Sequence, residues 1–278
     1  MTLTDLVRLS LEEDIGPGDV TTESTVPAGR VGRARIYAKQ DLLVCGHEPA
    51  AEVFRQLGAV WEVVEPDGAR VGPGVTIGRA TGDLRALITG ERVALNFLMR
   101  LSGIATHTAS VVATSAGLRV LDTRKTTPLH RALEKHAVRC GGAHNHRGAL
   151  YDGVLIKDNH VVAAGGVTAA VVSARSAAHH LLRIECEVES LEELREALAA
   201  GADAILLDNM DDHTLAEAIT LNRQSSRPAW LEASGNMTGP RIAGLQALLK
   251  ARGLALDAVS MGGLIHQARW ADISMRVE

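Results

Sequence analysis

The chain has 278 residues, of which 46% are hydrophobic and 3% aromatic, and its 29 Lys and Arg against 33 Asp and Glu give a formal charge of −4. This composition excludes a disordered chain and is typical of a globular protein that can bury a large core without disulfides. Scarce aromatic residues and an acidic balance also argue against a nucleic-acid-binding protein.

The cysteine pattern indicates a reducing environment. Cys45, Cys140 and Cys186 are widely spaced and include no Cys-x-x-Cys pair. We therefore expect neither a disulfide framework nor a thiolate zinc site, and we expect a cytoplasmic location. No apolar stretch approaches the roughly 20 residues of a membrane-spanning helix. Charges among the first leucines favour an amphipathic helix over a signal peptide.

The first hundred residues predict a small α+β domain. A short helix ends at the breaker GPG (16–18), and strand-like runs follow at 33–38, 42–45 and 60–65. Helical spacing begins near residue 83, and we expect it to break at Ser102-Gly103 into two or three helices. We place the boundary of this domain at residue 103.

Residues 104–266 predict an α/β domain, an incomplete (β/α) barrel. Six short apolar runs alternate with helical stretches, at 120–121, 153–156, 184–188, 204–207, 229–231 and 258–259. Polar or charged residues follow each run. A barrel gathers such residues at the carboxyl ends of all its strands, whereas a doubly wound sheet gathers them at one switch point. Six strands fall short of the eight of a complete barrel.

Positive charge is concentrated between residues 119 and 160, which hold eight Lys and Arg against four Asp and Glu. This concentration predicts an anionic ligand in a cationic cleft. Four cations that follow strands or lie near glycines are the candidates: Arg124, Lys125, Arg147 and Lys157. Four charged residues at helical spacing fit a solvated helix face instead: Arg131, Glu134, Lys135 and Arg139.

Carboxylates and small residues follow the later strands. Glu185, Glu187 and Glu189 alternate with apolar residues, so they share one strand face. Burying them without a cation, a metal or a sugar costs several kcal/mol, unless the strand is exposed. Asp208 makes the same case on the next strand. Residues 234–236 and 262–263 predict either a phosphate site at helix N-termini or plain turns.

Two features leave alternatives open. His144 and His146 fit ordinary loop hydrogen bonding, or a metal site completed by His160. Arg92 lies on a helix beside an apolar stripe, where it caps a solvent face or serves a site.

Several segments together resemble the quinolinate phosphoribosyltransferase family, the carboxylating nicotinate-nucleotide pyrophosphorylases. They are EDIGPGDVTT (13–22), ERVALN (91–96), DTRKTTP (122–128), NHR (145–147), LIKDNH (155–160), EVE (187–189), LLDN (206–209) and LEASG (231–235). The likeness runs through nearly the whole chain in order.

The resemblance implies a type II phosphoribosyltransferase-like fold, with an N-terminal α/β sandwich joined by the tail 267–278. It implies that quinolinate and phosphoribosyl pyrophosphate give nicotinate mononucleotide, pyrophosphate and CO2, with Mg²⁺, in NAD biosynthesis. It also implies a homodimer or larger homo-oligomer in which Arg92 reaches the neighbouring subunit's site.

Site roles follow from this resemblance together with the chemistry of the side chains. The quinolinate carboxylates are expected at Arg92, Arg124, His146 and Arg147. Lys125 and Lys157 meet phosphate or carboxylate, while Glu187 and Asp208 hold the ribose or Mg²⁺; Lys125, Glu187 and Asp208 are the catalytic set. The phosphates are expected at Ser234, Gly235, Asn236, Gly262 and Gly263, and Thr123 and Met261 complete the substrate-binding set.

The sequence departs from the family pattern at a few positions. Leu129-His130 replaces a common Gly-Leu, residues 148–149 replace an aromatic or Met followed by Gly, and residues 263–266 replace Ala-Leu-Thr-His. Asn236 replaces a second glycine. Three alternatives remain: a related protein linked to molybdenum transport, a barrel aldolase using Lys157 as a Schiff-base amine, and a dicarboxylate-binding regulator without catalysis.

Overall fold

The computed structural model describes residues 1–278, which form two compact units. The first unit comprises Met1–Ala109, Thr127–Gly142 and Gln267–Glu278, and the second comprises Ser110–Thr126 and Ala143–His266. No helix of the chain combines the length and the apolar character needed to cross a bilayer.

The helices are α1 (Leu3–Ile15), α2 (Val20–Thr25), α3 (His47–Gln56), α4 (Leu84–Val112), α5 (Arg131–Cys140), α6 (Asp158–Ala164), α7 (Val167–Ala177), α8 (Leu191–Ala199), α9 (Asp212–Gln224), α10 (Gly239–Ala251) and α11 (Gly263–His266). The strands are β1 (Val31–Ala38), β2 (Leu42–Leu43), β3 (Val60–Val63), β4 (Arg70–Val71), β5 (Thr76–Asp83), β6 (Arg119–Leu121), β7 (Val154–Ile156), β8 (Ile184–Val188), β9 (Ala204–Asp208), β10 (Trp230–Ser234), β11 (Ala258–Ser260) and β12 (Ile273–Val277).

The first unit is built on a four-stranded antiparallel sheet of order β12-β1-β5-β3, beside a two-stranded pair of β2 and β4. The C-terminal strand β12 pairs with β1, with Ala34 opposite Val277. Alternate residues of β1 are buried because a strand presents successive side chains to opposite faces. They join Phe54, Ile77 and Leu98 in the core of the unit.

Helix α4 corrects the expected break at Ser102-Gly103, because it is one helix of 29 residues. A Cβ atom on Gly103 would lie 2.0 Å from the carbonyl oxygen of Arg269. Glycine is needed there for the close approach of another backbone segment, and it does not end the helix.

The structural division differs from the expected boundary at residue 103 in two places. The second unit begins at Ser110, and helix α5 belongs to the first unit. The Arg100 guanidinium lies 2.8 Å from the buried Glu134 carboxylate of α5. Gly141, just after α5, abuts Thr108 of α4. These contacts within the first unit hold α5 against α4.

The second unit contains the six parallel strands that the apolar runs predict, in the order β6-β11-β10-β9-β8-β7. β6 and β7 end the sheet and do not pair with each other, so the barrel is incomplete, as expected. Leu121 instead makes a parallel bridge to His144, in the loop between them. The carboxyl ends of all six strands therefore face the same end of the sheet.

Candidate active site

A cavity of about 570 Å³ opens at the carboxyl ends of the parallel strands. Each strand of the sheet contributes to the lining, either with its last residues or with a residue that follows it. The six contributions, in chain order, are Thr123, Lys157, Glu187, Asp208, Ser234 and Ser260. This shared edge is the position of the active site in (β/α) barrels.

Most of the residues expected at the site line this one cavity. They are Thr123, Arg124, Lys125, His146, Arg147, Lys157, Glu187, Asp208, Ser234, Gly235 and Asn236. The lining also includes Asn209, Glu232 and Ser260, for which the sequence predicts no role.

Four expected residues are not part of the lining. Arg92 is exposed on α4 in the first unit. Met261 is buried, and Gly263 begins α11. Gly262 lies directly behind the lining, since a Cβ there would come within 2.7 Å of the Lys125 Cδ and 3.3 Å of the Thr123 Oγ1. A glycine at this position leaves room for the Lys125 side chain.

The basic loop after α5 is anchored by a buried carboxylate at the end of β6. Asp122 accepts hydrogen bonds from the backbone N–H of His146 (2.8 Å) and from the Asn145 side chain (2.6 Å). Its side chain is fully buried. Because bonds to a charged acceptor are the stronger ones, Asp122 fixes where His146 and Arg147 enter the cavity.

The Arg147 guanidinium is partly buried and lies near a second positive charge. Its guanidinium donates to the Gly153 carbonyl (2.9 Å), while its Nε is buried without a partner. Burial and the nearby positive charge of Arg124 lower the pKa of Arg147. Two guanidinium groups that line one cavity form a receptor for an anion, which would relieve their repulsion.

His146 faces two carboxylates in the interior of the sheet. Its Nδ1 accepts from the Arg147 N–H (2.7 Å), so in the neutral ring Nε2 carries the proton. That nitrogen lies 3.1 Å from a Glu185 oxygen and 3.7 Å from a Glu232 oxygen. The alternative metal site with His144 and His160 is not formed, because the side chains that lie together with His146 are those of Glu185 and Glu232.

Glu232 is a functional candidate that was not predicted from the sequence. Its side chain is fully buried and neither of its oxygens has a hydrogen-bond partner. Burial, and then the charge of Glu185, raise the pKa of Glu232 to about 7. The available signal was a charged residue between Leu231 and Ala233 inside an apolar strand, which is rare without a partner.

The carboxylates of β8 follow the expected alternation only in part. Glu185 is buried beside His146, and Glu187 lines the cavity. Glu189, expected on the same face, lies beyond the end of β8 and is exposed. The strand is therefore buried, and two carboxylates, not three, face the interior.

Lys157 and Glu187 form an ion pair at the cavity wall. Lys157 precedes α6 in an extended conformation, so its side chain leaves the end of β7 directly toward the neighbouring strand. Asp208 ends β9 and accepts from the Asn209 side chain (2.7 Å). Two carboxylates and one ammonium therefore line the same side of the cavity.

The backbone of the loop 234–236 is held in one conformation by its neighbours. Gly235 has φ +89° and Asn236 has φ +52°, both left-handed conformations. A Cβ on Gly235 would lie 2.2 Å from the Asn209 Oδ1, and Arg241 donates to the Gly235 carbonyl (2.8 Å). Helix α10 begins only after its own Thr238 cap, so this loop and not a helix end borders the cavity.

Comparison with known proteins agrees with this geometry. The family model for the N-terminal domain of quinolinate phosphoribosyl transferase matches residues 19–102, and the model for its C-terminal domain matches residues 104–276. A probable nicotinate-nucleotide pyrophosphorylase [carboxylating] of Synechocystis is 42% identical over 96% of the chain and 90% of the relative. The human nicotinate-nucleotide pyrophosphorylase [carboxylating] is 37% identical over 100% of the chain and 92% of the relative.

Solved structures of the same family are also similar to this chain. The crystal structure of NadC from Streptococcus pyogenes superimposes with a TM-score of 0.90 at 38% identity, covering 99% of this chain and 96% of that one. A nicotinate-nucleotide pyrophosphorylase from Pyrococcus furiosus, at 18% identity and a TM-score of 0.72, shares the fold. With both family models matched in order and relatives aligned over nearly their full length, the chain belongs to the quinolinate phosphoribosyl transferase family.

Proposed function

We propose that the chain transfers the phosphoribosyl group of phosphoribosyl pyrophosphate to quinolinate, with decarboxylation. The products are nicotinate mononucleotide, pyrophosphate and CO2, a reaction of NAD biosynthesis. The observation that carries the proposal is the polarity of the cavity. Its lining combines the guanidinium groups of Arg124 and Arg147 with the carboxylates of Glu187 and Asp208.

The cationic residues of the cavity fit the quinolinate dianion. Two adjacent carboxylates present four oxygens, and the guanidinium forks of Arg124 and Arg147 match such planar groups. Both guanidinium groups line the cavity. His146 offers no proton to the substrate from Nδ1, which accepts from the Arg147 N–H, so its role is to shape the pocket wall.

The acidic residues of the cavity fit a ribose at which positive charge develops. As the C1–O bond to pyrophosphate breaks, Glu187 and Asp208 stabilise the growing positive charge at C1. The pyridine nitrogen supplies the electron pair of the new C–N bond, and pyrophosphate leaves with the electrons of the old one. Lys125 and Lys157 hold phosphate oxygens by charge.

Decarboxylation needs no further group from the protein. Once alkylated, the pyridinium ring accepts the electron pair released as CO2 leaves from C2, and a proton from water then replaces the lost carboxylate. The protein contributes by holding the two substrates in register and by fixed charges, which is worth many powers of ten in rate.

Magnesium fits this site as an ion carried by the pyrophosphate. Mg²⁺ binds through one or two carboxylates together with substrate phosphates. Asp208 is the carboxylate that would hold the ion, because it accepts from the neutral Asn209 amide, whereas Glu187 is already paired with the Lys157 ammonium. When bound, Mg²⁺ would neutralise charge on the departing pyrophosphate.

The direct test is to incubate the purified protein with quinolinate, phosphoribosyl pyrophosphate and Mg²⁺. We expect release of CO2 and formation of nicotinate mononucleotide. Turnover of nicotinate but not quinolinate would assign a non-decarboxylating enzyme, and quinolinate binding without turnover would favour a regulator. A borohydride-stable adduct at Lys157 with a carbonyl substrate would favour the aldolase.

We also propose a homodimer or larger homo-oligomer, acting in the cytoplasm, in which Arg92 serves the neighbouring subunit's cavity. This is supported by the exposure of Arg92 on α4, outside the lining of its own chain's cavity. Arg92→Ala and Lys125→Ala proteins, each inactive alone, should regain activity when mixed, because a hybrid dimer rebuilds one complete site. No recovery despite demonstrated subunit exchange would refute the shared site.

A further inference from the structure

A second cluster of reactive side chains lies in the first unit and takes no part in the proposed reaction. Its members are Cys45, Asp67, His136 and Cys140. Cys45 lies between β2 and α3, Asp67 lies in the turn between β3 and β4, and the other two lie on α5. One ligand atom from each residue lies within 4.8 Å of all the others.

The spacing of these atoms is close to that of a tetrahedral metal site, with the two distances at Cys140 within about 0.1 Å of the ideal edges and the two at Asp67 within about 0.4 Å. Zinc bond lengths predict edges of about 3.8 Å between two sulfurs, about 3.5 Å between sulfur and nitrogen or oxygen, and about 3.3 Å between nitrogen and oxygen. The structure has 3.8 Å between the Cys45 and Cys140 sulfurs and 3.4 Å from Cys140 Sγ to His136 Nε2. Asp67 Oδ2 lies 2.9 Å from His136 Nε2 and 3.9 Å from Cys45 Sγ.

The ligand atoms are held in place by contacts behind them. Asp67 Oδ1 accepts the backbone N–H groups of Gly46 (3.0 Å) and His47 (3.4 Å), which leaves Oδ2 directed at the cluster. Ser102 bonds both the N–H and the carbonyl of Cys45 at 3.0 Å. Such outer contacts orient metal ligands before the ion arrives.

Helix geometry supplies the other half of the site. His136 and Cys140 are separated by four residues on α5, so their side chains lie on the same helix face. The His136 side chain is 42% exposed, which gives an ion a path from solvent. Arg139 contacts His136 Nδ1 at 3.4 Å, and this long contact would be given up when Nδ1 takes the ring proton.

We propose that Cys45, Asp67, His136 and Cys140 bind one zinc ion in the first unit. Two thiolates, one imidazole and one carboxylate fill all four positions of a tetrahedral ion, which defines a structural site and not a catalytic one. The ion would tie together three chain segments up to 95 residues apart. This revises the expectation from cysteine spacing, because the ligands meet only in the folded chain.

The proposal is tested on the full chain after treatment with a chelator and a thiol reductant. Titration with Zn²⁺ should give one ion per chain by elemental analysis. Co²⁺ should give the charge-transfer band of cobalt thiolates and the intense visible bands of tetrahedral cobalt. His136→Ala and Cys140→Ser should each weaken zinc binding by at least about 10-fold. Cys186→Ser is the matched control and should keep full stoichiometry.

Thermal unfolding separates loss of the site from loss of the fold. Zinc should raise the Tm of the starting protein and of Cys186→Ser, and raise that of His136→Ala by less at the same zinc concentration, since only a bound ion stabilises the folded state. Absence of zinc and cobalt binding by the reduced starting protein would overturn the proposal. So would zinc retained in both cluster variants, or a Cys45–Cys140 disulfide that persists after the thiol treatment, seen as a mass lower by two hydrogens in a protein that binds no metal.

Discussion

Replacing Glu232 with glutamine should make the protein more stable at neutral pH and above. The Glu232 carboxyl is fully buried, and burial followed by the charge of Glu185 raises its pKa from 4.5 to about 7. A group whose folded-state pKa lies above its unfolded value binds its proton more tightly in the folded protein. The free energy of unfolding therefore falls as the pH rises from the unfolded value toward the folded one.

The size of the effect follows from that shift. A change from 4.5 to about 7 corresponds to about 3 kcal/mol of stability lost between pH 4.5 and 7, with no further loss above pH 7. Full burial of Glu232 means that solvent screening does not reduce this figure. Glutamine keeps the shape of the protonated acid and cannot ionise, so the variant should not show this loss.

The assay is urea unfolding of the starting protein and of Glu232→Gln between pH 5 and 8. The difference in free energy of unfolding should be small at pH 5, grow to about 3 kcal/mol near pH 7 and then stay constant. Glu196→Gln, an exposed position on α8, is the control for the change in net charge. A difference that does not depend on pH would show that Glu232 is ionised throughout, and would refute the reasoning.

Three further predictions follow from the geometry. Asp122→Asn should cost about 2–4 kcal/mol and raise the KM for quinolinate, because an amide has one acceptor oxygen where the carboxylate uses two, so either the His146 N–H or the Asn145 side chain loses its buried acceptor; an unchanged KM would contradict the anchoring role of Asp122. Arg147→Lys should raise the same KM by at least about 10-fold with a smaller change in kcat, since an ammonium cannot match a planar carboxylate; steady-state kinetics will show whether kcat falls instead. Leu129→Gly should raise the free energy of unfolding by about 0.5–1 kcal/mol, because Leu129 has φ +68°, a conformation that glycine adopts more easily than leucine. The control is Leu150→Gly, which is similarly exposed but lacks a positive φ and should lower the free energy of unfolding. Thermal unfolding of both variants tests this, and a destabilised Leu129→Gly protein would contradict the argument.

The barrel and most of its site could be predicted from the sequence because their signal is local. A parallel strand is a short apolar run, and the residue that ends it must lie at the shared edge of the sheet. Lys157 directly follows such a run, Asp208 ends another, and both line the cavity. Glu187 could be placed because alternate residues of a strand face opposite sides.

What the sequence could not provide depends on contacts between distant segments. Gly103 suggests a helix break when read alone, and only the approach of Arg269 explains it. The sulfurs of Cys45 and Cys140 meet across 95 residues, so no spacing rule reveals the cluster. Glu232 lies within a recognisable strand, yet its raised pKa depends on its burial in the folded sheet and then on Glu185 of another strand.

The same distinction explains why the departures from the family pattern leave the cavity intact. At these positions the structure relies on the backbone more than on the side chain. The N–H groups of Gly148 and Ala149 donate to Asp152 (2.6 and 2.9 Å), a contact that any residue except proline can make. Leu129 and Asn236 take the positive φ that a glycine would take, at a conformational cost but with the same chain path. None of these four changes alters a charged group of the cavity, so the chemistry proposed for Arg124, Arg147, Lys157, Glu187 and Asp208 does not depend on them.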